Sequence, residues 1–177
     1  LYAYAAGNVV YDRDGHNTVR TYLGANVVTT GSGNDNITAA GAANIITAGS
    51  GHNVIKAIGG LNVVTTGSGN DSIHVGGGLN VVVSGTGDDK LYAAGKANVL
   101  YSSGGNNEMM GFGGKNVLIK TGNGTDKMYA ASGLNALTKI GDGNTTMVAG
   151  GAFNALTKVG DGRDVLLGIG KGNLLTR

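Results

Sequence analysis

One asparagine recurs along this chain at intervals that leave few folds open to it. Asn8, Asn26, Asn44, Asn62, Asn80, Asn98 and Asn116 are spaced by 18 residues, and Asn135, Asn154 and Asn173 follow at intervals of 19. About nine residues after each comes a second turn position: Asp35, Asn53, Asp71, Asp89 and Asn107, then, one residue later, Asp126, Thr145 and Asp164. A unit of this length with two turns holds two short strands, and neither can bury an apolar side alone. Such units must stack as coils, each touching only its neighbours. The expected fold is therefore all-β: a parallel β-solenoid (β-roll) with two strands and two turns per coil of 18–19 residues. About nine coils, each rising by one inter-strand spacing of roughly 4.8 Å, predict a rod somewhat over 40 Å long with two parallel sheets.

The 177 residues include 35 Gly and no Pro, Cys or Trp, too little bulky apolar mass for one large core, so the core must be thin and repeated. Glycine without a Gly-X-Y period is not collagen, and regular Val/Ile/Leu pairs speak against disorder. Residues 1–120 read as a solenoid of 18-residue repeats, opening with a degenerate coil over Leu1 to Thr21, and residues 121–177 as its continuation in 19-residue repeats. The final Gly172 to Arg177 start a further coil without a polar cap, as expected of a segment of a longer array. No apolar run approaches the roughly 20 residues of a membrane-spanning helix, and no signal peptide opens the chain. A net charge of +2, from 13 basic and 11 acidic residues that are scattered rather than clustered, offers no footprint for nucleic acid.

Strand phase follows from alternation, because successive side chains point to opposite faces. Two residues after each asparagine stand Val10, Val28, Ile46, Val64, Val82, Leu100, Leu118, Leu137, Leu156 and Leu175, predicted inside. Two after each second turn stand Val19, Ile37, Ile55, Ile73, Leu91, Met109, Met128, Met147 and Leu166, also inside. Outward positions of the second strand, such as Asn36, Ser72, Lys90, Glu108 and Lys127, are mostly polar, so that sheet is expected to face water. Outward positions of the first strand form an apolar stripe, Val27, Ile45, Val63, Val81, Val99 and Val117, which calls for a cover in the intact assembly. The repeated asparagines Asn26, Asn44, Asn62, Asn80, Asn98, Asn116, Asn135 and Asn154 are expected to form a structural ladder, each amide bonding to the same residue one coil on.

The second turns carry the one motif with chemistry in it. Gly31-Ser32-Gly33-Asn34-Asp35-Asn36-Ile37-Thr38, preceded by Thr30, resembles the G-G-x-G-x-D-x-U-x nonapeptide of repeats-in-toxin proteins, and Gly67 to Asp71 and Gly85 to Asp89 fit the same pattern. The resemblance implies calcium held between stacked turns by glycine carbonyls and one Asp carboxylate from each turn. Only Asp71 with Asp89 supplies two carboxylates across one gap, so a bound calcium ion, if there is one, is expected there; the pairs Asp35 with Asn53, Asn53 with Asp71 and Asp89 with Asn107 each include an amide. The Asp side chains are otherwise expected to cap turn amides, and the roll to fold with no cofactor required, binding at most one or two calcium ions weakly.

Gly133-Leu134-Asn135-Ala136-Leu137-Thr138-Lys139-Ile140-Gly141-Asp142-Gly143 and Gly151-Ala152-Phe153-Asn154-Ala155-Leu156-Thr157-Lys158-Val159-Gly160-Asp161-Gly162 share the signature N-x-x-T-K-[IV]-G-D-G, with a glycine two residues before the Asn in the first and three before it in the second. They are similar to the 19-residue repeats of the multifunctional-autoprocessing repeats-in-toxin (MARTX) toxins of Vibrio and related bacteria. That resemblance implies a large toxin exported by type I secretion, whose repeats engage the host plasma membrane and help to deliver effector domains. The implied partners are the host membrane or other repeats of the same toxin. An enzyme is not expected: His16, His52 and His74 have no metal-ligand spacing, the acids form no isolated catalytic pair, and the glycine-rich turns lack the Lys and helix of a phosphate loop, leaving no small-molecule substrate site. Two rivals are a spacer in an adhesin or extracellular matrix protein and an ice-binding solenoid. The Thr29, Thr47 and Thr65 row suggests the latter, but Val83, Tyr101 and Ile119 break it.

Overall fold

A computed structural model describes all residues 1–177. It contains strands and no helix: β1 (Tyr2–Tyr4), β2 (Gly7–Tyr11), β3 (Thr18–Tyr22), β4 (Ala25–Thr29), β5 (Asn36–Thr47), β6 (Val54–Thr65), β7 (Ser72–Val83), β8 (Lys90–Ser103), β9 (Glu108–Thr121), β10 (Asp126–Ala131), β11 (Leu134–Ile140), β12 (Thr145–Val159) and β13 (Asp164–Thr176). Every pairing is parallel. From β5 to β8 each strand pairs with the next at an offset of 18, as in Ile55↔Ile73, and β10 pairs with β12 at 19, as in Met128↔Met147. The chain is a stack of near-identical coils, a parallel β-solenoid.

One expectation changes in detail. The two faces are not separate sheets, because β5 to β9, β12 and β13 run unbroken round the asparagine-side bend and join them into one 13-stranded sheet. The bend stays hydrogen-bonded because glycine lets successive coils nearly touch: a Cβ on Gly59 would lie 2.1 Å from the Gly41 carbonyl oxygen and 2.8 Å from Asn44 Nδ2. Three bends interrupt the strands, at Ala5-Ala6, Leu23-Gly24 and Ser132-Gly133, and in the last two Leu23 (φ 70°) and Ser132 (φ 76°) take left-handed angles.

Inside the bend stands the asparagine ladder. From Asn8 to Asn173 each Nδ2 donates to the Oδ1 of the asparagine one coil on, at 2.7–2.8 Å throughout. Several of these amides use their second hydrogen on a bend carbonyl of the same neighbour, as Asn44 does to Ile58 O at 3.0 Å and Asn62 to Gly76 O at 3.0 Å. Asn26 to Asn154 are all buried. Both aliphatic ladders face inward beside them, with Val28, Ile46, Val64, Val82, Leu100 and Leu118 opposing Ile37, Ile55, Ile73, Leu91, Met109 and Met128, all at most 1% exposed; in the end coils, which are covered on one side only, Val10 and Leu166 are partly buried and Leu175, expected inside, is 44% exposed. A third, smaller row of Ala39, Ala57, Val75 and Ala93 fills the space toward the bend. Each fully buried Val, Ile or Leu contributes about 1.5–3 kcal/mol, and the thin core accumulates that coil by coil.

The outward faces differ. The first-strand face carries three rows, typified by Leu61, Val63 and Thr65, whose members are almost all uncharged from β4 to β12; Lys115 is the exception. Val27 and Ile45 are 37% and 45% exposed, and Val63, Val81, Val99 and Val117 are half-buried because each leans on the same residue above and below. The second-strand face is less uniformly polar than its sequence suggests. Lys56, Lys90, Glu108 and Lys127 are there, but Tyr92, Met110, Phe112, Tyr129, Val148 and Ile169 collect beside them, with Tyr92 and Phe112 rings 5.3 Å apart. Polar residues hold most of the first outward position of that strand and, as Thr38, Lys56 and His74, the second position of the earlier coils; from Tyr92 onward the second position turns apolar, and the third is apolar or glycine throughout.

Val64→Asp or Ile73→Asp places a charge in the middle of the aliphatic ladders, where no donor is available. Each should cost about 3–5 kcal/mol, measured as a fall in the midpoint of chemical unfolding followed by circular dichroism.

Candidate metal centre

The second turns project one residue inward from each of two rows. The first row continues the first strand's inward parity beyond its aliphatic residue and holds Thr30, Ala48, Thr66, Ser84 and Ser102, then Lys120, Lys139 and Lys158. The second holds Asp35, Asn53, Asp71, Asp89 and Asn107, then Asp126, Thr145 and Asp164. All except Asp164 are buried. Apart from Ala48, the turn interior is thus polar along its whole length.

The second row makes a ladder of its own. Asn53 N donates to Asp71 Oδ1 at 2.8 Å, Asp71 N to Asp89 Oδ1 at 2.9 Å, Asp89 N to Asn107 Oδ1 at 2.8 Å, and Asn107 N to Asp126 Oδ1 at 2.9 Å. One side-chain oxygen per coil therefore satisfies a turn amide of the coil before it. The remaining atom separates Asn from Asp. Asn53 Nδ2 donates to the carbonyls of Gly49 and Gly51, both at 3.2 Å, and Asn107 Nδ2 to those of Gly104 and Gly105 at 2.6 and 3.2 Å. An Asp in the same place has no hydrogen to offer and presents a second oxygen instead. Asp35 Oδ2 and Asp71 Oδ2 are buried without a hydrogen-bond partner, and Asp89 Oδ2 receives only Ser102 Oγ at 3.3 Å.

Asp71 and Asp89, the pair singled out in the sequence, are brought together one coil apart in this interior. Burial pushes the Asp71 carboxyl above its ordinary value; the nearby Thr66 hydroxyl, which lacks hydrogen-bond alignment with it, and the Asn53 amides pull it back, while the Asp89 charge adds to the rise. Burial also raises Asp89, against the Asp71 N–H and the Ser84 and Ser102 hydroxyls, with the Asp88 charge acting upward. Stacked carboxylates, an orphaned buried oxygen and glycine carbonyls without the donor that Asn supplies make a donor set of hard oxygens. That set fits a calcium ion.

On the outer side of the same turns a second, exposed ladder runs in the opposite sense: His52 N donates to Asn34 Oδ1 at 2.8 Å, Asn70 N to His52 Nδ1 at 2.9 Å and Asp88 N to Asn70 Oδ1 at 2.8 Å. His16 Nδ1 likewise accepts from Asn34 N at 3.1 Å. His74 lies elsewhere, on the second-strand face, its ring stacked 5.7 Å from that of Tyr92.

The lysines are the residues that sequence reasoning missed. Lys120, Lys139 and Lys158 are fully buried, and their ammonium groups enter the turn interior. Lys120 Nζ donates to the Thr121 carbonyl and, at 3.4 Å, to Gly122 O; Lys139 Nζ to Gly122 O and Asp126 Oδ2, both at 2.6 Å; Lys158 Nζ to Gly141 O and Gly160 O, both at 2.9 Å. Burial lowers the Lys120 pKa from its ordinary value, the Asp126 charge opposing and the Lys139 charge reinforcing that shift. The signal was in the parity. Lys139 stands four residues after Asn135, an even step from an inward position.

A stacked solenoid with glycine-rich, Asp-bearing turns defines a class of calcium-associated β-rolls. The chain belongs to the RTX calcium-binding nonapeptide repeat family, which matches it over residues 2–37, 20–55, 38–73, 57–91 and 83–118. Repeats of this kind are a structural, non-catalytic type of domain and are typical of proteins secreted by the type I route. Comparison with curated proteins and with solved structures finds no match.

Both carboxyl groups titrate above the ordinary value of 3.8 when folded. The folded chain therefore retains protons that the unfolded chain has released. Their contribution is full below the unfolded pKa and is lost as pH rises through the raised folded values. The metal-free chain should accordingly lose stability between acidic and neutral pH. Asp71→Asn with Asp89→Asn, which installs the amide donor already used by Asn53 and Asn107, should flatten that profile and stabilise the metal-free roll at neutral pH by on the order of 1 kcal/mol per site; melting temperatures across the pH series provide the check.

Proposed function

We propose that this chain is a repeat segment of a MARTX-like secreted toxin, and that its first-strand face seats against the host plasma membrane or against other repeats of the same toxin during delivery of effector domains. The observation that carries this reading is the almost uncharged face described above, continuous from β4 to β12 and centred on Val27, Ile45, Val63, Val81, Val99 and Val117. A sheet facing only water would be expected to alternate apolar inside with polar outside. The 19-residue signature around Asn135 and Asn154 supports the toxin reading beyond the matched nonapeptides.

Calcium belongs to the same proposal. Asp71 and Asp89, with carbonyls of the turns at Gly67 to Asp71 and Gly85 to Asp89, would hold it, and it would supply the positive charge that these oxygens lack. Adding calcium to chelator-treated protein should raise the melting temperature, with a gain of about 2.7 kcal/mol at a hundredfold excess over Kd. The Asp71→Asn, Asp89→Asn variant should not respond.

The membrane proposal is tested by co-sedimentation with vesicles of plasma-membrane lipid composition. The wild-type chain should bind, and Val63→Glu with Val81→Glu should abolish binding; because the two half-buried positions are in register and set like charges side by side, the pair should also cost about 1 kcal/mol per site, and circular dichroism checks that the roll is retained. If the wild-type chain stays in the supernatant, the spacer reading, a rod holding apart the domains of an adhesin or matrix protein, takes its place.

A further inference from the structure

The glycine carbonyls that face the turn interior meet a different partner in different coils. In the turns of Asn53 and Asn107 it is the asparagine amide of the same turn. In the turn of Asp71 no side-chain hydrogen is supplied: Asp71 Oδ2 and Thr66 Oγ1 are both buried without a partner. In the 19-residue coils the partner is an ammonium group. Lys120 lies in register with Ser102, and Lys139 with Lys120 and Lys158, so the three lysines occupy the same row as Thr66, Ser84 and Ser102, of whose hydroxyls only that of Ser102 reaches the second row, 3.3 Å from Asp89 Oδ2. Asp126 continues the carboxylate row, accepting Asn107 N at 2.9 Å exactly as its predecessors accept a turn amide, and its second oxygen meets Lys139 Nζ at 2.6 Å with both side chains fully buried.

We propose that Lys120, Lys139 and Lys158 are tethered cations that occupy, in the 19-residue coils, the space a metal ion fits in the Asp71–Asp89 turns, so that these coils close without calcium. The chemistry of the contacts carries this. Lys139 Nζ is held by one carboxylate oxygen and one glycine carbonyl, Gly122 O, and Lys158 Nζ by the carbonyls of Gly141 and Gly160 from two successive turns. Carboxylate and glycine carbonyl oxygens are also the ligands a calcium ion would draw on. An ammonium ion already bonded to them leaves neither room nor charge for a metal. The donor set of these turns therefore does not fit calcium, and the roll is divided at about residue 120 into a metal-responsive part and a self-sufficient one.

Hydrogen–deuterium exchange on the whole chain, with chelator and then with excess calcium chloride, separates the two parts. The turns at 121–126, 140–145 and 159–164 should be protected in chelator and unchanged by calcium. Calcium-dependent protection there, or no protection in chelator, would overturn the proposal. The turns at 66–72 and 84–90 report separately on the calcium reading above, so either idea can fail alone. Lys139→Met keeps the length of the side chain and removes its hydrogens; it should lose protection over 121–145, and calcium should not restore it. Unaltered protection in that variant would show that the ammonium group holds nothing. Lys158→Met, nearer the end of the rod, should show the same local loss over 140–164 with the preceding coils unaffected, and serves where Lys139→Met does not fold.

Discussion

A primary amide buried at the edge of a stack can satisfy itself in only one economical way: its N–H reaches forward to the next amide and its carbonyl oxygen receives from the last. The ladder from Asn8 to Asn173 does this at a nearly constant 2.7–2.8 Å. That constancy requires each coil to repeat the path of the one before it. Register, flatness and the glycine contacts of the bend follow. A slip by one residue would break the amide bond and turn a row of Val and Ile out of the core at the same time. A missing rung would leave buried donors and acceptors on both sides, at about 1–3 kcal/mol each.

The opposite edge solves a different problem. Its turns curl around inward-pointing carbonyls, and the negative ends of those dipoles need something positive near them. Asn53 and Asn107 meet the need with an amide, Lys139 and Lys158 with an ammonium group, and Asp71 and Asp89 aggravate it with further oxygens. The asymmetry explains why this chain is less acidic than its turn motif suggests: much of the charge balance of the turns is supplied by its own side chains. It also explains why burial pushes Asp71 and Asp89 upward, since an unpaired carboxylate in that interior is disfavoured until a proton or a cation joins it.

Much of the architecture was legible because the repeat is short and alternation is strict. The inward placing of Val64 and Ile73 and the stacking of the asparagines both follow from period and parity. Three features were not. Continuity of the strands round the bend depends on backbone clearances at Gly59 and its equivalents, which a sequence pattern cannot express. The apolar cluster at Tyr92, Met110 and Phe112 lies at outward positions beyond the first of each second strand, so a reading of Lys90 and Glu108 alone mistook the character of the face. The lysines were overlooked because a charged residue next to a glycine turn is ordinarily solvated, and only counting from Asn135 places Lys139 inside.

The nineteenth residue of the later coils enters at the open edge: β9 aligns with β8 at an offset of 18 up to Ser103↔Thr121, and Lys127 already aligns with Glu108 at 19. The asparagine edge, where a single methyl group would meet a carbonyl, has no room for it. Change in coil size is thereby confined to one edge of the rod, while change in coil number disturbs nothing, because every interface is a copy of the next. Unequal exchange between such similar coding segments would lengthen or shorten the array in whole coils of about 4.8 Å, making the roll a ruler whose graduations can be added or lost without redrawing the scale.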